Sequence, residues 1–306
     1  MNLTAETCAD PDSRHGNGKI AVLGANSRLG QRIVGALGQD AIAISRGQLI
    51  GNSLAHSIIV GDYAAISEDM LKGCRAVINC IGAVKGDAQM LRHVNVGLSV
   101  RACEIAKQAG ISRFVHFSSF SVYGHATQIG KETPEHPVDP YGISKMEGDH
   151  ALLAVAGVDV GILRIPAVLG AGVPSKLSQL WALWRKVYVL PVSRTAARSM
   201  ISLDAAAGAA ITLAKTIRPV RGIWLVADPK PVSLYEIGLD ARVRAKSMRM
   251  LIAPAPVQIV LQRLLPFPFE RIFGSSILNI NSNNFPILGL AEGIEAEISR
   301  IIENDV

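Results

Sequence analysis

Three observations predict an α/β fold, a doubly wound parallel sheet joined to a smaller C-terminal domain. The apolar run Lys19 to Leu23 leads through GANSRLG into a helical segment from about Arg28 to Leu37, which makes a strand-loop-helix unit. The run Phe114 to Phe117 is largely apolar and reads as a buried parallel strand. Tyr141 and Lys145 stand four residues apart just behind Pro140, so a helix starting there carries both on one face.

A chain of 306 residues can bury a large core, as one domain or two closely packed ones. Hydrophobic residues make up 49% and charged residues 18%, the balance of a globular protein on the apolar side. A net charge of +6 favours phosphate-bearing ligands or an anionic surface without identifying either. No basic block or aromatic-basic interleaving points to nucleic acid. Cys8, Cys74, Cys80 and Cys103 have no metal-like spacing and read as reduced thiols of a cytoplasmic protein, so no metal site is expected. Residues 1–17 are polar and read as a flexible tail, not a signal peptide. No apolar stretch reaches the roughly 18 residues that a transmembrane helix needs.

In chain order, strands are expected at Lys19 to Leu23, Ala41 to Ile44, Ser57 to Val60, Ala76 to Cys80, Arg113 to Phe117 and Asp159 to Leu163. Between them, Gln89 to Ala109 reads as one long helix. Its Val94, Leu98, Ala102, Ile105 and Ala106 trace an apolar face, and Gly110 ends it. A further helix is expected from about Tyr141 to Ala156. Beyond Leu169 the period is less regular. A helix over Leu177 to Lys186, an apolar segment over Val187 to Val192 and a helix from Asp204, as its cap, through Ala214 are expected there. A strand over Gly222 to Val226 and a helix start at Val232 to Glu236, capped by Ser233, complete the reading.

The chemistry lies between Phe117 and Lys145. Ser119 follows the buried run, and side chains at the C-terminal end of such a strand open into the ligand crevice. A phenol with a pKa of about 10 is a poor base at neutral pH, but a nearby ammonium and a nicotinamide cation both favour its phenolate. Tyr141 can then exchange a proton with a substrate alcohol or carbonyl while Ser119 hydrogen-bonds the same oxygen. Alone, Tyr-x-x-x-Lys reads better as a plain helix-surface pair. The rest of the chain decides against it.

With the loop at Gly24, the segments Asn95 to Gly124 and Pro140 to Gly148 resemble the extended short-chain dehydrogenase/reductase family, in its epimerase/dehydratase, nucleotide-sugar branch. The resemblance runs from about Lys19 to Ile301. It implies a Rossmann-like NAD(P)-binding domain over residues 18–168 and a mainly substrate-binding domain over 169–306, with segments about 198–226 returning to the first. Ser119, Tyr141 and Lys145 would be catalytic, Lys145 lowering the Tyr141 pKa and holding the nicotinamide ribose. Cofactor contacts are implied for Gly24, Asn26, Ser27, Arg28, Leu29, Gly30, Ser45, Arg46, Asp62, Cys80, Ile81, Gly82, Tyr141, Lys145 and Ile165. Gly24 permits the tight turn and Gly30 close packing of helix on strand, whereas Ser27 stands where the family has its middle glycine. An acidic residue at the end of the second strand would select NAD. Ser45 and Arg46 instead offer a hydrogen bond and a charge-assisted clamp for a 2′-phosphate, so NADP is expected over NAD. Asn95 resembles the helix asparagine that ties adjacent strands, and Glu132 the acidic residue of the loop before the tyrosine. Phe120 and Ser121 replace the Asp-Glu pair of the dehydratases, so a 4,6-dehydratase lacks its acid and base.

The resemblance places Ser121, Arg198 and Arg271 at the substrate, both arginines at the diphosphate of a nucleotide-sugar. Met248 to Phe273 is apolar but broken by prolines, and reads as a pocket wall, with peripheral membrane contact as the competing reading. The expected reaction is hydride transfer between C4 of a nicotinamide and a secondary alcohol carbon, in a nucleotide-sugar 4-keto reductase. A 4-epimerase with tightly bound NAD, a reductase of some apolar ketone and a non-catalytic dinucleotide-binding structural or regulatory protein are the alternatives. The expected partner is a small-molecule substrate, and a homodimer is left open.

Overall fold

The computed structural model describes residues 18–49, 55–169, 191–192, 197–233, 251–252, 275–279 and 281. Seven strands form its main sheet: β1 (Lys19–Leu23), β2 (Ala41–Ser45), β3 (His56–Ile59), β4 (Cys74–Asn79), β5 (Arg113–Ser119), β6 (Asp159–Ile165) and β7 (Gly222–Leu225). Their order is β3-β2-β1-β4-β5-β6-β7, and every neighbouring pair is parallel. The chain runs outward from β1 to β3, then crosses back to lay β4 on the other side of β1. The crevice at the C-terminal ends of β1 and β4 is therefore the topological switch point, where doubly wound sheets bind ligands.

Both faces of the sheet are covered at its central strands, which is why these are largely apolar, whereas the edge strand β3 is mostly exposed. Successive side chains of β1 alternate between two cores. Ile20 and Val22 pack with Ile33, Val34, Ala43, Ile78, Val115 and Leu163 under the helices α1 (Arg28–Leu37) and α5 (Leu203–Lys215). Ala21 and Leu23 pack on the opposite face with Ile44, Val77, Phe114 and Ile162 under α3 (Ser99–Gln108) and α4 (Pro140–Ala154). The apolar stripe of α1 is buried at Gly30, Ile33, Val34 and Leu37, the spacing of one helical face.

Several elements differ from their sequence expectation for identifiable reasons. β5 runs on through Ser118 and Ser119, paired there with Arg164 and Ile165 of β6, so Ser119 is the last residue of the strand itself. The long helix after β4 is divided into α2 (Ala88–Arg92), a π turn (His93–Leu98) and α3. The widened turn carries Asn95 inward, fully buried, onto the backbone of Ala83. Ser202, not Asp204, caps α5, its hydroxyl accepting from the Ala205 amide at 3.1 Å. Asp204 instead forms an ion pair with Arg32, which ties α5 to α1. Val232–Ser233 is a strand that pairs antiparallel with Ala197–Arg198, with both of its residues buried, and the helix expected after Ser233 lies outside the described residues. The tail 1–17, the expected helix 177–186 and Arg271 lie outside the described residues. So does most of 248–273, of which Leu251–Ile252 pairs in parallel with Pro191–Val192.

The fit of α1 to the loop before it gives a direct test. A Cβ at Gly30 would lie 2.4 Å from the Gly24 carbonyl oxygen, whereas one at Gly35 meets nothing within 4 Å. Gly30→Ala should destabilise the protein by about 1–3 kcal/mol. Gly35→Ala, in the same helix, should stabilise it by about 0.5–1 kcal/mol. Urea unfolding midpoints measure both, and equal midpoints would mean that α1 does not lie this close to the turn.

Candidate active site

The loop between β1 and α1 crosses the switch point with no side chain to spare. Gly24 has φ +74°, and a Cβ there would sit 2.9 Å from the carbonyl of Cys80 at the end of β4. The Gly24 and Ala25 amides both donate to the Ile44 carbonyl of β2, at 3.0 and 3.1 Å. This cradle, opening onto the N-terminus of α1, fits a dinucleotide diphosphate, because exposed helix-start amides attract phosphate. Ser27 has ordinary extended geometry (φ −66°, ψ 155°), so the position does not require a glycine. Its hydroxyl caps α1 by accepting from the Gly30 amide at 3.0 Å, so that amide is not left for a phosphate, and Arg28 and Leu29 open the helix. Asn26 braces the loop from the side by donating to the Gly47 carbonyl at 2.8 Å.

At the end of β2 the two expected phosphate ligands part company. Ser45 is fully buried and its hydroxyl donates to the Gly47 carbonyl, so the donor expected for a 2′-phosphate is already committed inside the turn. Arg46 is exposed, with its guanidinium 5.3 Å from the centre of the Tyr63 ring. Asp62 caps the short turn Tyr63–Ala65, one carboxylate oxygen accepting from the Ala64 amide at 3.0 Å. Cys80, Ile81 and Gly82 follow β4 along the floor of the crevice, and Ile165, at the end of β6, is the register partner of Ser119.

Ser119 and Tyr141 are brought together: their hydroxyls are hydrogen-bonded to each other. Ser119 also caps the turn Phe120–Tyr123 through the Ser121 amide and donates to the Ser121 hydroxyl at 3.2 Å, so Ser121 joins the same hydroxyl cluster. Burial raises the Tyr141 pKa above the ordinary phenol value, the bond from Ser119 lowers it, and Asp139 and Asp149 raise it further. The expected help from Lys145 is not arranged this way. Its amine lies 2.6 Å from the Phe117 carbonyl and 3.0 Å from Nε2 of His116, both on β5. Burial pushes the Lys145 pKa down to about 8, against the pull of Asp149.

α4 is held down by a buried charge cluster centred on Arg164. Arg164 is almost fully buried and donates to Asp149 at 2.8 Å, to the Tyr123 hydroxyl at 3.0 Å and to Glu135. Asp149 also accepts from Ser118 at 2.8 Å, which makes that serine structural. Burial works against the charge of Arg164, yet Asp149, Tyr123 and Glu135 hold its pKa above the ordinary value. Glu135, and not the exposed Glu132, is the acidic residue of this loop that meets the site's supports. Asp149 could have been found from its spacing, since it stands one turn beyond Lys145 on the same face. His116 was equally visible as a polar residue inside the apolar run of β5. Among the described residues there is no cluster of three or more His, Cys, Asp or Glu suited to a metal, and no helix is long and apolar enough to cross a membrane.

A switch-point cradle of bare backbone with a Ser-Tyr-Lys set on the neighbouring strand and helix defines a dinucleotide-dependent enzyme of the extended short-chain dehydrogenase/reductase type. The chain belongs to the NAD dependent epimerase/dehydratase family, whose model matches residues 20–201. It is 29% identical over 235 residues to a UDP-glucose 4-epimerase of Vibrio cholerae, which spans 71% of this chain and 70% of that one. It is 28% identical over 221 residues to a ceramide reductase of Caulobacter vibrioides, with 69% and 65% covered. Among solved structures it resembles the NAD complex of UDP-glucuronic acid 4-epimerase from Bacillus cereus (TM-score 0.70, 18% identity, 93% of this chain and 99% of that one). It also resembles a UDP-N-acetylglucosamine 4-epimerase from Methanobrevibacter ruminantium (TM-score 0.72, 17% identity, 94% and 99% covered). At these identities the structural likeness speaks for the fold.

Removing one partner of a buried ion pair leaves the other charge uncompensated. Asp149→Ala should therefore destabilise the protein by about 3–5 kcal/mol. Glu132→Ala, at an exposed position, should change stability by less than about 0.5 kcal/mol. Denaturant titration of both variants tests the assignment, and a near-neutral Asp149→Ala would sink it.

Proposed function

We propose that this enzyme is a nucleotide-sugar 4-keto reductase that uses NADP(H). The observation that carries the reading is the hydrogen-bonded Ser119–Tyr141 pair at the C-terminal end of β5, beside the crevice. The dinucleotide, when bound, supplies or accepts the hydride at C4 of its nicotinamide. Tyr141 gives the proton to the substrate oxygen, and Ser119 donates a hydrogen bond to that oxygen as charge develops on it. The raised pKa of Tyr141 keeps the phenol protonated, the form that a carbonyl needs. Lys145 holds the nicotinamide ribose. Gly24, Asn26, Ser27, Arg28, Leu29, Gly30, Asp62, Cys80, Ile81, Gly82 and Ile165 line the dinucleotide site. We assign Ser121, with Arg198, half-buried in its short strand, and Arg271, to the substrate side built by the later segments. Reduced, desolvated thiols at Cys80 and Cys103 fit a cytoplasmic setting.

Arg46 tilts the reading toward NADP. It is an exposed cation where NAD selection calls for a carboxylate, although Ser45 no longer contributes a free donor. A second reading, 4-epimerisation with retained NAD, is favoured by the relatives of that activity. Both use the same Ser119, Tyr141 and Lys145. Product analysis with a panel of UDP-sugars and their 4-keto forms, each with both cofactors, separates them.

Tyr141→Phe should lower turnover at least roughly 10²-fold with little change in cofactor affinity, because proton transfer contributes about 10² to 10⁴. A turnover near wild type would remove Tyr141 from this role. For Arg46→Ala, dissociation constants should show NADPH weakened about tenfold or more and NADH barely altered. If the wild-type protein prefers NADH, or purifies with NAD bound, epimerisation becomes the leading reading.

A further inference from the structure

His116 lies in the middle of β5, fully buried between Asn79 of β4 and Lys145 of α4. Its hydrogen bonds decide its tautomer. The Asn79 side-chain oxygen accepts from the Ile81 amide at 3.0 Å, and a backbone amide can only donate, so the orientation of the Asn79 side chain is set. Its nitrogen then faces the Ser99 hydroxyl at 3.2 Å and Nδ1 of His116 at 3.1 Å. Nδ1 must accept, and the proton of a neutral imidazole sits on Nε2. The ring is neutral, because burial holds its pKa well below the ordinary value.

Nε2–H therefore points at the Lys145 amine 3.0 Å away. An ammonium has only N–H groups and cannot accept that bond, whereas an uncharged amine has a lone pair that can. The same amine still has hydrogens to give to the Phe117 carbonyl at 2.6 Å. Every donor in the chain Ile81–Asn79–His116–Lys145–Phe117 finds an acceptor only if Lys145 is neutral. We propose that His116 is a positioning residue that holds Lys145 on β5 as an uncharged amine in alkaline solution, and that the turn of Lys145 to the dinucleotide ribose is then accompanied by uptake of one proton from solvent onto its Nζ. The inference rests on the dinucleotide role given to Lys145 above.

The groups around Lys145 are few. On α4 they are Tyr141, which stays protonated, and Asp149, which favours a charged lysine. The Asp149 oxygen nearest β5 and β6 is already shared by Ser118 and Arg164. On β4 and α3, Asn79 and Ser99 are neutral. With Lys145 at a pKa of about 8 on β5, and near the ordinary value of about 10.4 once it leaves the buried site, the window lies between these values. Affinity for the dinucleotide is flat below the lower one and falls as pH rises through the window, because the amine must first be protonated.

The test is calorimetric titration of the full chain with NADPH in two buffers of different ionisation enthalpy, which counts protons per dinucleotide bound. Wild type should take up about 0.9 proton at pH 9 and about 0.1 at pH 7, the difference between its free and bound lysine. In His116→Gln the amide oxygen reaches the place of Nε2 and accepts from an ammonium, so uptake at pH 9 should fall below about 0.3. Binding with no more proton uptake by wild type at pH 9 than at pH 7 overturns the proposal. So does undiminished uptake in a folded His116→Gln protein. If that variant does not fold, the wild-type counts at the two pH values still decide. Failure of the wild type to bind NADPH or NADH at millimolar concentration strikes instead at the functional reading beneath it.

Discussion

Tyr141 and Lys145 reach the site only because α4 lies against its neighbours with nothing between the backbones. A Cβ at Gly142 would meet the Ser121 carbonyl oxygen at 2.5 Å, and one at Gly148 would meet that of Asn95 at 2.7 Å. These contacts fix the helix at both ends of the reactive stretch. The first binds it to the turn that carries Ser119, and the second to the π turn that carries Asn95. Asn95 in turn reaches the Ser144 hydroxyl at 2.9 Å, so the loop after β4, the π turn and α4 are joined around one buried amide. An ordinary α-helical turn at Asn95 would leave its side chain one position off this junction. The irregular turn is thus part of how the site is assembled.

The same helix is held from below by charge. Asp149, Arg164, Glu135 and the Tyr123 hydroxyl form a cluster whose central guanidinium is almost entirely out of water. Such a cluster contributes little net stability, since desolvation of each ion opposes the attraction between them. Its effect is geometric. Arg164 lies on β6 one residue before Ile165, the partner of Ser119, and Asp149 lies one turn after Lys145. Any slip of α4 along β5 and β6 would break a charged hydrogen bond in a medium that cannot replace it. The separation of Tyr141 from Ser119 therefore inherits the precision of an ion pair.

The sheet was legible because parallel strands buried on both faces leave continuous apolar runs, as in Ile20–Leu23 and Ala41–Ile44. The candidate trio was legible as a group because its spacing is local: Tyr141 and Lys145 share a helix turn, and Ser119 ends a strand. What sequence could not show is what each polar group touches across elements. Ser45 looked like a ligand and is a turn brace; Lys145 looked like the partner of Tyr141 and is bonded to β5. Both depend on which rotamer tertiary packing selects. The pairing of Val232–Ser233 with Ala197–Arg198 was hidden for a related reason: its strand partner lies 34 residues upstream, at Arg198.

The proton held near Lys145 bears on which reaction this crevice serves. In an epimerase, the proton that Tyr141 takes from one alcohol returns to the sugar within the same encounter, and the dinucleotide stays bound. No exchange with solvent is then needed in any cycle. A reductase differs on both counts. Each turnover consumes a proton from Tyr141 and releases an oxidised dinucleotide, so the phenol must be recharged and the cofactor replaced before the next. In alkaline solution, a buried lysine that changes charge as the dinucleotide arrives and departs would be idle in the first scheme and cycle in the second. The chain Asn79–His116–Lys145 runs from the floor of the crevice to the helix that carries Tyr141. In the proposed reductase reading such a chain would couple the charge of Lys145 to cofactor exchange.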